Sequence, residues 1–371
     1  MNVAIFVPRS SSIIYHWVNF AKILNEQGYN IFFITQSDVP ISPNNLNFDF
    51  TVIEFNNDPS SLNLLKQLSE AANLIKILKD NNIEVIHAFY LKNVFLTLLA
   101  SFFTKTKNFL HVCGLGNLFN DLKLKNLLYS NLIKIFFALT SRLKDRIFIV
   151  ETAYLKNKLE KEFFMQKENI YQICGTGIDT EKFLPETTPL SPMKFITVTR
   201  LLKDKGVIEY MDAVESIQKE FPNTEFTLVG MWWETNPLSI SKKEFERLQD
   251  LNINYFENIN NVYEILPKNH FFILPSYHEG LSVSSMEAAS CGLGLLLSDI
   301  SGCRELVHSD KNGYLFKKQS STALIDAIRK AIKNFNKVNA FGAYSRNLIK
   351  EKHSIKVLST QVCELYKQKI G

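Results

Sequence analysis

The stretch SYHEGLSVSSMEAASCG, residues 276–292, carries two carboxylates eight positions apart, Glu279 beside a glycine and Glu287 inside an apolar run. FFILPS, an apolar run of strand length, leads into it, and Ser282 has the chemistry of an N-cap. The pattern predicts a strand, a turn and a helix from about Ser282 to Cys291, with Glu279 in the turn and Glu287 about two turns into the helix. The amides of Gly280, Leu281 and Ser282 then stand at a helix start, where free donors bind anions. A carboxylate in the turn can only accept and suits sugar hydroxyls, so one site can hold a diphosphate and a polyol together. The alternative is a pair of solvent-facing helix charges, against which the Pro-Ser before Glu279 and the glycine after it argue.

A second constellation is TVTRLLKDKGVIEYMDA, residues 197–213, where Arg200 ends an apolar run and Lys205 stands just before Gly206. Two cations beside a helix start suit a phosphate or pyrophosphate, through charge-assisted hydrogen bonds and the helix dipole. The plainer reading is a solvated basic turn. The N-terminal turn VPRSSSIIYHW lacks G-x-G-x-x-G and so argues against a dinucleotide. Its Ser10, Ser11 and Ser12 either offer hydroxyls and amides to a ligand or form an N-cap cluster. His87 and His111 lie on apolar runs of strand length, and each fits a core position as well as a functional one. No His/Cys/Asp set has metal-ligand spacing, and neither G-x-S-x-G nor a P-loop occurs.

Residues 121–146 mix Leu, Ile and Phe with Lys123, Lys125, Lys134, Arg142, Lys144 and Arg146. A basic amphipathic helix of this kind either lies on an anionic membrane surface or faces the core with its basic side in water.

The elements that must position these groups follow from periodicity. Strand-like runs at residues 2–7, 30–35, 84–89 and 108–114 alternate with helical patterns over about 15–27 and 62–81. The second half repeats the scheme, with strands at 194–200, 225–230, 253–257, 271–276 and 294–299 and helices over about 206–220 and 282–291. Such alternation predicts βαβ units and parallel sheets, with ligands gathered outside the carboxyl ends of the strands. GTGIDTEKFLPETTPLSPM, 175–193, with two Gly and three Pro, reads as the linker, and about 317–369 as helices with a break near 351–354.

A chain of 371 residues predicts two domains: 1–180, a linker at 175–193, 194–352, and a closing helix at 353–371 able to pack back on the first domain. Five scattered cysteines without C-x-x-C read as reduced thiols. The start MNVAIFVPRS has no signal-peptide pattern and no run reaches 18 apolar residues, so a cytoplasmic location is expected. A net charge of +5 makes no case for nucleic acid, although residues 101–146 concentrate eight Lys/Arg against Asp121 and Asp145.

VAIFVPRSSSIIYH, EVIHAFY, HVCGLGNLF, GTGIDTEKF, TRLLKDKG, LVG, LPSYHEGLSVSSMEAASCG and SDISGCRELV together resemble glycosyltransferase family 4, the retaining GT-B enzymes. The most specific motif is P-S-x-x-E-G-x(6)-E-A, holding Glu279 and Glu287. The resemblance implies two Rossmann-like domains facing across a cleft and a nucleotide-sugar donor, most simply a UDP-sugar, with no cofactor or metal required. It implies that Arg200 and Lys205 bind the donor diphosphate and, with Glu279, carry catalysis. Glu279, Gly280, Leu281 and Ser282 would hold sugar and phosphates, and Glu287 the ribose. SIIYHW, GLGNLF and SGCREL are similar to the bacterial branch that extends polyprenyl-diphosphate-linked sugars, including N-acetylgalactosaminyltransferases acting on diphospho-undecaprenol-linked bacillosamine.

Transfer of a hexose or N-acetylhexosamine, GalNAc or GlcNAc, to such a lipid-linked saccharide on the inner face of the cytoplasmic membrane is therefore expected. Lys123, Lys125 and Lys134 would meet the anionic surface. The acceptor side would involve His111, Cys113, Gly114, Ser12 and His16; Cys113 stands where many relatives have His, with His111 on the same strand face. The N-terminal turn also lacks a glycine that many relatives use near the donor phosphates. A nucleotide-sugar 2-epimerase or a non-catalytic sugar-nucleotide-binding subunit are the alternatives.

Overall fold

The computed structural model describes residues 1–56, 63–115, 124–173, 175–257, 259 and 261–370. The chain divides into two compact units, Met1–Gly177 with Leu358–Gly371, and Ile178–Val357.

The first unit is built on a seven-stranded sheet of β1 (Asn2–Arg9), β2 (Asn30–Gln36), β3 (Phe50–Glu54), β4 (Val85–Phe89), β5 (Lys107–Val112), β6 (Arg146–Val150) and β7 (Ile170–Gln172). All neighbours pair in parallel, in the order β3-β2-β1-β4-β5-β6-β7. Helices cover both faces of such a sheet, which is why its central strands read as unbroken apolar runs: Val3–Val7 and every residue of β4 are buried. The second unit repeats the plan with β8 (Met193–Val198), β9 (Thr224–Val229), β10 (Asn254–Phe256), β11 (Phe271–Leu274), β12 (Gly294–Ser298) and β13 (Gly313–Phe316), in the order β10-β9-β8-β11-β12-β13.

In both units the strand order reverses once, between β1 and β4 and between β8 and β11. At such a switch point the adjoining loops diverge to opposite faces and leave a crevice at the strands' carboxyl ends. The turn holding Lys205 follows β8, and the turn holding Glu279 follows β11, so the second unit's switch point brings them together.

Strands β3, β6, β7 and β13 and the helix Leu91–Ala100 are not apparent from periodicity alone. β3 is an exposed edge strand, β7 and β13 have three and four residues, and β6 looks in sequence like the tail of the basic helix before it. That helix ends at Thr140, which corrects the far end of the basic helix expected over 121–146: Arg142 and Lys144 lie in the following turn and Arg146 opens β6. The Arg146 guanidinium donates to the Ser101 carbonyl at 2.9 Å and hydroxyl at 2.8 Å.

Two further sets of contacts complete the units. Arg346 donates to the carbonyls of Thr180 (2.7 Å), Phe183 (2.6 Å) and Ser290 (2.8 Å), which holds the segment after Gly177 against the second unit. In the last helix, Ile355–Ile370, Tyr366 stacks on Phe109 at 4.2 Å between ring centroids, and its hydroxyl lies 2.9 Å from Nδ1 of His87. His87 is thereby a packing residue of the first unit.

Candidate active site

In the second unit Lys205 Nζ lies 2.6 Å from Glu279 Oε1, and both side chains are mostly buried. Two backbone devices produce this pair. The Tyr277 amide donates to the Asp204 carbonyl at 2.8 Å, which laces the β11 turn to the β8 turn. Gly206, at φ +71°, caps the helix Val207–Glu220 so closely over Pro275 that a Cβ would stand 2.2 Å from the Pro275 carbonyl oxygen. On the other side Gly302 presses against the turn itself, and a Cβ there would lie 1.5 Å from the Gly280 carbonyl oxygen. The Tyr277 hydroxyl donates to Glu209 at 2.6 Å and Lys318 to the Tyr277 carbonyl at 3.3 Å, which fixes the turn's tip.

Ser282 caps the helix Val283–Ser290 by accepting from the Ser285 amide at 3.3 Å. Among the described residues the amides of Gly280, Leu281, Ser282, Val283 and Ser284 meet no acceptor. A row of free donors at a helix start is an anion cradle. Arg200 sits two residues beyond β8, exposed and without an ionic partner among the described residues. Glu287 is one turn into the helix and partly buried, and its carboxylate has no hydrogen-bond partner among the described residues. Burial pushes its carboxyl up to about 7, against the pull of Lys182.

In the first unit the structure assembles a second cluster at the carboxyl ends of β5 and β6. Parallel register pairs Val112 with Val150, so the next residues, Cys113 and Glu151, are neighbours, and His111 points to the same face as Cys113. His111 Nε2 lies 3.7 Å from Glu151 Oε1. Burial holds the His111 ring down to about 3, so it is neutral and the contact is not an ion pair. Burial, then the Glu151 carboxylate, pushes the Cys113 thiol well above its ordinary range. Tyr90, at φ +71°, joins the cluster from the end of β4, with the Trp17 indole 3.4 Å from its hydroxyl and the Ser12 hydroxyl beside it.

The remaining expectations divide. The serines are not an N-cap cluster: Arg9 occupies the cap position, and Ser10 and Ser11 donate to the Asp38 carboxylate at 2.9 and 2.6 Å. Only Ser12 turns toward the His111 cluster, through Tyr90. His16 lies in the π turn Ile13–Trp17. Among the described residues nothing lies within 4 Å of where a Gly114 Cβ would stand. Lys123 lies outside the described residues, as does the side chain of Lys125, and Lys134 holds its Nζ 5.7 Å over the Phe163 ring. Sequence reading missed Tyr277, Gly302, Tyr90 and Glu151. Glu151 was legible only to a reader who saw IFIV as a strand, because it then occupies the same strand-end position as Cys113.

Residues 3–145 match the family described as glycosyl transferase 4-like, and residues 179–348 match glycosyl transferases group 1. The chain belongs to the glycosyltransferases. The glycosyltransferase is 27% identical over 343 residues to the N,N'-diacetylbacillosaminyl-diphospho-undecaprenol alpha-1,3-N-acetylgalactosaminyltransferase of Campylobacter jejuni, covering 87% of each chain. It is 24% identical over 294 residues to the UDP-Gal:alpha-D-GlcNAc-diphosphoundecaprenol alpha-1,3-galactosyltransferase of Escherichia coli, covering 72% of this chain and 71% of that one. Among solved structures, a glycosyltransferase from Rickettsia africae superposes with TM-score 0.77 at 16% identity, over 100% of this chain and 98% of that one. Anabaena HepE in complex with UDP also reaches 0.77 at 16% identity, over 99% and 100%. The glycosyltransferase therefore has the GT-B fold of two Rossmann-like units, and the epimerase alternative draws no support from relatives that are transferases by name.

Proposed function

We propose that the enzyme transfers a hexose or N-acetylhexosamine, with retention, from a UDP-sugar to a saccharide carried on polyprenyl diphosphate. The observation that carries the donor half of this reading is the Lys205–Glu279 pair set beside five free amides at the β8/β11 switch point. In this reading Lys205, Arg200 and the amides of Gly280 to Ser284 receive the diphosphate, which gains negative charge as the anomeric bond breaks. Fixed donors aimed at developing charge are commonly the largest catalytic contribution, about 3–4 kcal/mol for one donor. Glu279, neutralising Lys205 in the empty site, turns to the sugar hydroxyls when phosphate takes over the lysine. The departing phosphate oxygen accepts the acceptor's proton, so no protein base is required. The acceptor half rests on the names of the two bacterial relatives, which act on undecaprenyl-diphosphate-linked sugars.

The test is incubation of purified protein with UDP-GalNAc, UDP-GlcNAc and UDP-Gal, each with and without a polyprenyl-diphosphate-linked saccharide, followed by anomeric analysis of the product. An α-linked product that needs the acceptor supports the reading. Epimerised sugar without acceptor, or a β linkage, overturns it.

In this reading Glu287 accepts from the ribose hydroxyls, and its charged form is the stronger acceptor. Its carboxyl is raised to about 7 in the empty site, so it is protonated below that pH and ionised above it. UDP affinity measured by calorimetry accordingly rises as pH goes from 6 to 8, by up to about tenfold per unit below 7, and Glu287→Gln flattens the profile. A wild-type profile already flat removes Glu287 from the nucleotide site. In the ligand-free protein the same upward shift gives stability that is present below 4.5 and is lost as pH rises through about 7.

A peripheral position on the cytoplasmic membrane face completes the reading. Among the described residues no helix is long and apolar enough to cross a membrane. The helix Leu124–Thr140 exposes Leu132 (65%), Ile135 (58%) and Leu139 (63%) on one stripe, and its Phe136 meets the exposed Phe102. Arg142 and Lys144 flank that stripe, exposed, in the turn that follows. An apolar stripe edged by cations suits an anionic bilayer surface. Replacing Ile135 and Leu139 by Ser together lowers co-sedimentation with vesicles containing phosphatidylglycerol, with transfer to a soluble short-chain acceptor unchanged; equal sedimentation removes this face from the membrane contact.

A further inference from the structure

At the carboxyl ends of β5 and β6, His111, Cys113 and Glu151 bring an imidazole nitrogen, a thiol sulfur and a carboxylate oxygen within 4.8 Å of one another. His111 is fully buried, and among the described residues neither ring nitrogen has a hydrogen-bond partner. A buried polar side chain without a partner is costly, and its persistence calls for an occupant. His111 Nε2 faces the cluster, with Glu151 Oε1 3.7 Å away.

We infer that His111, Cys113 and Glu151 form a binding site for a thiophilic divalent metal ion of the zinc class. Sulfur, imidazole and carboxylate together select zinc or cobalt over magnesium or calcium, which take oxygen alone. Metal–ligand lengths of about 2.0–2.3 Å put tetrahedral ligands roughly 3.3–3.8 Å apart. The His111–Glu151 separation of 3.7 Å already meets that, and the site closes by a small rotation of Cys113, the one partly buried member of the set. Charge balance favours the same occupant. A thiolate and a carboxylate neutralise a divalent cation, so the buried centre carries no net charge. Three protein ligands leave a fourth position for water or another oxygen. This site lies in the first unit, whereas the diphosphate groups lie in the second.

The experiment is titration of Co2+ into tag-free, reduced, chelator-treated protein, read by absorption. Expected are a near-ultraviolet thiolate-to-cobalt band and visible bands of tetrahedral intensity, saturating at one equivalent and erased by Zn2+. Cys113→Ser removes the near-ultraviolet band, and Glu151→Gln weakens binding by about tenfold or more. Absence of a thiolate band in the wild type, or its survival in Cys113→Ser, overturns the proposal. Should Cys113→Ser fail to fold, X-ray absorption at the zinc edge of the wild type decides: one sulfur with nitrogen and oxygen neighbours supports the site, and a shell without sulfur overturns it. The spectra report the metal whether or not the protein turns over, so failure of the transfer reading leaves this test intact.

Discussion

Lys205→Ala lowers kcat/KM for sugar transfer by about 10²–10³-fold, while the melting temperature falls by only a few degrees. The two effects separate because Lys205 has two uses of unequal size. In the empty site it pairs with Glu279 at 2.6 Å, with side chains 13% and 17% exposed. A pair of that exposure lies between a surface ion pair and a fully buried one, so its removal costs about 1–2 kcal/mol. During transfer the same ammonium faces the charge that develops on the leaving diphosphate, where water is excluded and one fixed donor is worth more. Glu279→Gln is the companion: transfer is lost, UDP binding largely survives, and Lys205 is left without its counter-charge. Parallel loss of activity and of about 10 °C or more in melting temperature for Lys205→Ala would mark the lysine as structural.

Gly302→Ala is the second large effect, and it acts through the turn that carries the donor groups. The added methyl carbon would stand 1.5 Å from the Gly280 carbonyl oxygen and 3.0 Å from that of Glu279. Those are backbone atoms, so no rotamer change relieves the clash, and the turn that presents Glu279 and the free amides must move. The expected result is a loss of about 2–4 kcal/mol in stability, with UDP binding weakened by at least about tenfold because the cradle is displaced. Gly206→Ala has the same sign for two reasons, a Cβ 2.2 Å from the Pro275 carbonyl oxygen and φ of +71°. Gly114→Ala is the control for stability, since among the described residues nothing lies within 4 Å of its Cβ position. Chemical denaturation of the three variants checks the order, and a Gly302→Ala protein as stable as the wild type would refute the packing account.

Much of the donor side is legible in the sequence because each piece is local. A β-rich apolar run, a turn and a helix start are adjacent along the chain, so FFILPS-YHEG-LSVSSMEA shows its strand, its cap at Ser282 and its two carboxylates without tertiary knowledge. Arg200, Lys205 and Gly206 are legible for the same reason. The Lys205–Glu279 contact is not, because 74 residues separate the partners and only the order β8-β11 makes them neighbours.

The first unit shows the opposite balance. The histidine and cysteine of HVCG are visible, but Glu151 comes from the next strand in the sheet, and β6 was hidden behind a run of Lys, Arg, Leu and Phe that reads as one helix. Once that strand is lost, its carboxyl-end residue is lost with it. Gly302 was likewise visible only as part of a motif; its purpose depends on which carbonyl lies against it.

By itself, then, the sequence determined the alternation of strands and helices, the two parallel sheets and the local donor turns, because periodicity and capping act within a few residues. The tertiary structure alone decided which strands lie side by side, and therefore that Lys205 meets Glu279 and that His111, Cys113 and Glu151 share one buried corner. Strand order and parallel register are set by the packing of whole layers, in which no single stretch of chain records its neighbours.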